Sequence, residues 1–188
     1  MTMAYHKLTL SSIQILIKTL PIYKIQLFSD ETVIYVSKDD LKKIMFFFKN
    51  HSMLQYKVLS CVSCSDYPNK KRRFEISYDL LSLVFNHRLR VKTVNHELEP
   101  AQSCETVFPV SNWFECEVWD MYGIFFKNHS SLRRILTDYG FEGHPLRKDF
   151  PLNGFVEVRY SDNQKRVINE TIEFSQEYRT FNFFSPWV

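Results

Sequence analysis

Two segments of strict apolar–polar alternation meet at Asn86-His87, and few architectures accommodate such a pair. Phe74, Ile76 and Tyr78 alternate with Glu75 and Ser77, while Leu89, Val91 and Thr93 alternate with Arg88, Arg90 and Lys92. A period of two belongs to a strand with one dry and one wet face. Asn tolerates the left-handed backbone that a tight hairpin turn requires. Residues 72–84 and 88–94 are therefore predicted to pair as strands, and their dry face needs a cover.

The rest of the first half supplies that cover and further strands. Residues 54–64 form another strand candidate, followed by a turn at Ser65-Asp66-Tyr67-Pro68-Asn69-Lys70. Residues 22–28 and 32–36 are rich in Tyr, Val and Ile, with Ser29-Asp30-Glu31 as the turn between them. Ile13, Leu16, Ile17 and Leu20 have helical spacing, and Pro21 ends that helix. Ser37 is the expected N-cap of a helix running to about Phe48, with Leu41, Ile44, Met45 and Phe48 on one face. A last helix is expected over 111–122, capped by Ser111 and stopped by Gly123. The sum is an α+β fold, helices packed on a mixed β-sheet.

From about residue 137 the periods break. Pro145, Pro151 and Pro186 interrupt the chain, as do Gly140, Gly143 and Gly154, yet Phe155, Tyr160, Phe174, Tyr178, Phe181 and Trp187 continue the aromatic content. So aromatic a segment is too apolar for a solvated tail. The expected organisation is an α+β domain over 1–136 and an extended C-terminal arm over 137–188. Those six aromatics are its expected anchors in another chain, since aromatics are enriched at interfaces; the alternative is an arm folded back on its own domain.

Composition narrows the function. With 24 Lys and Arg against 21 Asp and Glu, the net charge of +3 does not argue for nucleic acid. Four Cys in 188 residues do not form a secreted disulfide framework. The longest apolar cluster, Ile44 to Phe48, is far shorter than the roughly 20 residues of a membrane span. The first 29 residues contain no Asp, Glu or Arg. They read as a helix of the domain rather than a presequence, so the protein is expected to be made where it works.

Chemistry-bearing motifs are few. Cys61-Val62-Ser63-Cys64 is a C-x-x-C, and a thiol or metal redox protein built on Cys61 and Cys64 is the alternative reading. A strand, however, points residues three apart to opposite faces. The basic run Asn69-Lys70-Lys71-Arg72-Arg73 lacks interleaved aromatics and reads as a solvated loop or a contact to an acidic partner. The six His residues show no metalloenzyme spacing, and no phosphate-binding or nucleophile motif appears.

One stretch is denser. Glu115, Glu117 and Asp120 share a short helix, and Gly123, His129, Arg133 and Arg134 follow. If the chain doubles back after Gly123, Glu115 and Asp120 reach Arg133 or Arg134. Acids and bases mixed this closely read as a clamp or interface rather than an acid/base pair with separated pKa values.

These residues resemble the thirty-kilodalton subunit family of proton-pumping NADH:ubiquinone oxidoreductase, respiratory complex I. The family's E-R-E helix stands here as Glu115-Cys116-Glu117-Val118-Trp119-Asp120-Met121-Tyr122-Gly123, followed by His129 and Leu132-Arg133-Arg134-Ile135-Leu136. A second hallmark is complete, Gly143-His144-Pro145-Leu146-Arg147-Lys148-Asp149-Phe150-Pro151-Leu152. Weaker similarity includes Ser65 to Pro68 and Lys71 to Glu75. Cys116 replaces the signature Arg, which puts that residue's salt bridge in doubt and shifts the pairing to Arg133 and Arg134.

The resemblance implies a non-catalytic subunit of the peripheral arm, in the quinone module, with no redox centre. FMN, iron–sulfur clusters and ubiquinone would be held by other subunits. It implies the large forty-nine-kilodalton-type subunit and other peripheral-arm subunits as partners, and neither nucleic acid nor a direct membrane span. The implied place is the matrix side of the mitochondrial inner membrane, with the gene in the organelle. Glu115, Glu117, Asp120, Gly123, His129, Arg133, Arg134, Gly143, His144, Pro145, Arg147, Lys148 and Asp149 are the implied signature and interface residues.

Overall fold

In the computed structural model, residues 16–28, 31–176, 178–185 and 187 are described. They divide into two units, Met1–Lys148 and Asp149–Val188.

The first unit is built on the expected alternation. β1 (Ile22–Leu27), β2 (Thr32–Val36), β3 (Val58–Asp66), β4 (Phe74–Ser82) and β5 (His87–Asn95) form one sheet of order β1-β2-β5-β4-β3. Only β2 and β5 run parallel; the other pairs are antiparallel, so the sheet is mixed. Asn86, at φ +50°, turns β4 into β5, and Ser82 pairs with His87. Phe74, Ile76, Tyr78, Leu80, Leu89 and Val91 lie on the dry face, all at most 1% exposed. Each such side chain contributes roughly 1.5–3 kcal/mol relative to leaving it in water.

Helix α1 (Leu41–Asn50) buries Leu41, Ile44, Met45 and Phe48, the face expected from their spacing. Its start differs. Residues 38–40 form a turn, Asp40 is the N-cap residue, and no side chain caps the helix. The Asp40 N–H donates instead to the Ser37 carbonyl, which tightens the chain into a turn before the helix. Residues 16–19 are helical and Leu16 enters the core. The earlier part of the expected first helix, and Ser29 and Asp30 of the expected turn, lie outside the described residues.

Two-residue strands β6 (Ala101–Gln102) and β7 (Phe126–Lys127) pair in parallel. Between them runs helix α2 (Ser111–Tyr122), which packs on β3. Ser111 is its first helical residue rather than its N-cap, and its hydroxyl has no hydrogen-bond partner among the described residues. Gly123 ends the helix at φ +75°, as expected.

The first unit continues to Lys148, past the boundary expected at residue 136. The reason is local: Arg134 to Thr137, and His144, Leu146 and Arg147, are hydrogen-bonded to α2. The second unit, described by itself, holds an antiparallel hairpin of β8 (Val156–Ser161) and β9 (Arg166–Thr171). Arg159 pairs with Glu170 across it. The broken periods expected there concealed this hairpin, although Val156, Val158 and Tyr160 do alternate with Glu157, Arg159 and Ser161. The segment from 149 is therefore partly a hairpin and not wholly an extended arm.

Candidate functional site

The two dense sequence stretches meet around α2. Asp120 is fully buried and its carboxylate organises the returning chain. Oδ2 accepts the backbone N–H groups of Ile135, Leu136 and Thr137 at 3.1, 2.8 and 3.0 Å. Oδ1 accepts the Thr137 hydroxyl at 2.7 Å and Arg134 at 3.1 Å. Burial pushes the Asp120 carboxyl up, but these donors outweigh it and hold the pKa at about 2. Arg134 also donates to the Gly143 carbonyl at 3.0 Å, tying the two motifs together.

The second motif closes the end of the same helix. Its last carbonyls have no partner within the helix. Nδ1 of His144 donates to the Asp120 carbonyl at 3.0 Å, the Leu146 N–H to Met121 at 3.2 Å, and Nε of Arg147 to Tyr122 at 2.7 Å. Burial, with Arg147 and Arg134 nearby, lowers the His144 pKa, so the neutral imidazole is favoured as this donor. Its ring also meets Trp119 edge-on.

Arg147 reaches further, to Glu97 at 2.7 Å and over the ring of Phe74 at 5.4 Å. Arg73 lies over the same ring at 5.2 Å and forks onto Asp66 through two bonds of 2.7 and 2.8 Å. Asp66 also accepts the Lys148 N–H at 2.8 Å. The Arg73 guanidinium, followed by the Lys148 N–H, outweighs burial and lowers the Asp66 pKa. The basic run thus splits, since Arg73 is committed to the hairpin while Lys70, Lys71 and Arg72 are exposed.

The N-terminal half of α2 has its own closure. Glu105 accepts the Ser130 N–H at 2.8 Å, the Ser130 hydroxyl at 2.6 Å and the Asn112 amide at 2.8 Å. The Ser130 bonds come first in holding its pKa at about 2. His129 is wholly buried at the side chain, between Asn112 and Ser131.

Several expected roles change. Asp120 meets Arg134, as expected, but Glu115 reaches neither arginine: it accepts the Cys104 N–H at 2.8 Å and faces His129. Arg133 is exposed and makes no ion pair among the described residues, because the turn held by Asp120 presents the adjacent Arg134 instead. Glu117 is half-exposed with no hydrogen bond among the described residues. Cys116 is 2% exposed and donates weakly to the Ser131 carbonyl at 3.5 Å. Pro145 is half-buried beside His144, while Lys148 is exposed at its side chain. Asp149 begins the second unit. There Phe155, Tyr160, Phe174, Tyr178, Phe181 and Trp187 are 63, 55, 76, 87, 61 and 91% exposed.

Asp66, Arg73, Glu97, Glu105, Ser130 and Thr137 were not singled out by the sequence as site residues. The Asp66–Arg73 pair had a signal, an acid and a base flanking a turn between two strands. The others act through contacts far apart in the chain. Cys61 and Cys64 pair with Asp79 and Ile76 and so point to opposite faces of the sheet, and both are free thiols pushed up in pKa by burial. That geometry gives the thiol–metal alternative no shared site.

Residues 34–156 match the family described as respiratory-chain NADH dehydrogenase, 30 Kd subunit. The chain belongs to that family. It is 55% identical over 157 residues to NADH-ubiquinone oxidoreductase subunit 9 of Reclinomonas americana, covering 84% of this chain and 77% of that protein. It is 52% identical over 158 residues to subunit 9 of Prototheca wickerhamii, covering 84 and 82%. The protein named NADH dehydrogenase [ubiquinone] iron-sulfur protein 3 of Marchantia polymorpha is 52% identical over 174 residues, covering 92 and 89%. A chain from the membrane-bound sulfane sulfur reductase, an archaeal respiratory membrane complex, has the same fold at a TM-score of 0.62 and 21% identity, covering 73% of this chain and 82% of that one. In this 30 Kd family member, Arg134 to Thr137 and His144 to Arg147 both close on the C-terminal half of α2. No helix among the described residues is long and apolar enough to cross a membrane.

Proposed function

We propose that this chain is the 30 Kd subunit of NADH:ubiquinone oxidoreductase, acting in its peripheral arm as a structural subunit of the quinone module. The observation that carries this reading is the family membership, joined to the use made of the signature residues. Asp120, Arg134, His144 and Arg147 spend their polar groups on backbone and side chains of this chain, which fixes a surface rather than poising a reaction. The electrons would run through FMN, iron–sulfur clusters and ubiquinone in neighbouring subunits, with this chain holding those neighbours in place and supporting assembly.

The exposed aromatics of the second unit support a docking role. Six rings more than half exposed are costly in water, and a large subunit of the forty-nine-kilodalton type, with other peripheral-arm subunits, would cover them. The side chains of Glu117, Arg133 and Lys148, which make no hydrogen bond or ion pair among the described residues, and Asp149 at the start of the second unit, would be the polar members of that surface. The corresponding place is the matrix side of the mitochondrial inner membrane, with the gene carried by the organelle.

Native-gel fractionation of mitochondrial membranes with mass spectrometry tests the reading. The chain is expected in the band with NADH dehydrogenase activity. Its migration apart from that activity would exclude the assignment.

A further inference from the structure

We propose that the turn joining β3 to β4, with Lys148 beside it, is a docking surface for an acidic segment of a neighbouring protein chain, a contact that rests on this chain's being a subunit of the complex proposed above.

The turn is tightly built. The Tyr67 N–H donates to the Arg73 carbonyl at 2.9 Å, and the Lys70 N–H to the Tyr67 carbonyl at 3.0 Å. Beneath them the Arg73 fork onto Asp66 closes the neck of the hairpin. Lys70 Nζ lies 3.7 Å from the centre of the Tyr67 ring. Asp66 also accepts the Lys148 N–H, which sets a residue 82 positions later in the chain beside the same neck.

This end of the sheet is rich in unmatched positive charge. Lys70, Lys71, Arg72 and Lys148 are exposed, and their side chains make no hydrogen bond or ion pair among the described residues. The acids that the first unit places nearby are already matched. Asp66 holds Arg73, and Glu75 holds Lys92 at 2.7 Å. Glu97 holds Arg147 at 2.7 Å, with Arg73 3.6 Å away. Glu99 holds Lys38 at 2.8 Å and feels Arg72 only through space. Three consecutive like charges repel one another, and an acidic partner relieves that repulsion while adding its own attraction.

The geometry favours a protein over other anions. Single-stranded nucleic acid needs open rings for its bases, and Tyr67, the ring of this turn, already carries the Lys70 ammonium over its face. A membrane surface is gripped by cations joined to apolar side chains that enter it, and Asn69 to Arg72 offer none. A turn already held by its own hydrogen bonds loses little freedom on meeting carboxylates, and Arg72 supplies a planar fork for one of them.

The test is zero-length crosslinking with a water-soluble carbodiimide, which joins a lysine amine to a carboxylate only where the two touch. It is applied to the NADH dehydrogenase band from mitochondrial membranes, and mass spectrometry reads the joined peptides. The expected result is a bond from Lys70 or Lys71 to an Asp or Glu of another chain. With the chain present in the band, crosslinks from both lysines confined to this chain, or none at all, would overturn the inference. No such crosslink, together with salt-sensitive binding of the full-length chain to anionic vesicles or DNA, would reassign the turn to those anions. A band lacking the chain would overturn the proposed function, and this inference with it.

Lys70→Gln, Lys71→Gln and Arg72→Gln in one variant separate docking from folding. The variant's melting temperature should stay close to wild type, while salt should strip it from the complex at a lower concentration. Equal salt resistance in variant and wild type would also overturn the inference.

Discussion

A Cβ placed on Gly123 would lie 2.5 Å from Nε2 of His144 and 2.7 Å from the Arg147 guanidinium. The missing side chain is what lets the second motif close on the end of α2. Gly123→Ala adds this clash to the strain of φ +75° and is predicted to cost about 2–3 kcal/mol. Gly140→Ala is the control: φ is +77°, but nothing lies within 4 Å of its Cβ, so only about 1–2 kcal/mol of strain applies. Urea unfolding followed by tryptophan fluorescence measures both, and equal losses would contradict the close approach.

Asp120 predicts an acid limb in the stability profile. Its folded pKa of about 2 lies below the ordinary value of 3.8. A depressed carboxyl stabilises the fold above its unfolded pKa, and that contribution is lost as pH falls from about 4 to about 2. Asp120→Ala strands three backbone N–H groups and Arg134, at a predicted cost of about 3–5 kcal/mol at neutral pH. It should also flatten the limb between pH 4 and about 2. Arg134→Ala is expected to destabilise more than Arg133→Ala, since only Arg134 meets Asp120 and Gly143. Thermal melts across this pH range check the set.

Arg73 and Arg147 both lie over the Phe74 ring while pairing with Asp66 and Glu97. Arg73→Lys keeps the charge but loses the fork onto Asp66 and the planar stack, and is predicted to cost about 1–2 kcal/mol. Asp66→Asn should cost a similar amount and release the Lys148 N–H. Amide exchange at Lys148 reads this directly. It should quicken in D66N but not in E97Q, because Glu97 does not touch that N–H.

The legible part of this protein is the part written in periods. Alternation through Phe74–Tyr78 and Leu89–Thr93, and the helical spacing from Leu41 to Phe48, reported local geometry and the dry face together. Gly123 was legible for the same reason, since a helix end needs a left-handed residue at one place. The Asp120 nest was not, because its donors are backbone N–H groups of Ile135 to Thr137, which no side-chain code announces. Glu105 with Ser130, and Arg147 with Glu97, meet only through the fold. Ser37 and Ser111 misled as N-caps because a cap residue must also have the right backbone, which the preceding turns supplied without them. In the second unit, prolines and glycines masked the short alternation of β8.

The second unit's aromatics give the prediction that bears on assembly. Phe174, Phe183, Phe184 and Trp187 are 76, 90, 87 and 91% exposed in this chain alone. Changing all four to Ser removes exposed apolar surface, so the isolated chain should bind less hydrophobic dye and aggregate less. On the proposed docking role, the same change would remove anchors within the complex, each worth on the order of 1–2 kcal/mol or more. Incorporation into the NADH dehydrogenase band should then fall, while the unfolding transition of the first unit stays where it was. The opposite movement of solubility and assembly separates docking rings from rings that serve the fold, for which both would fall together.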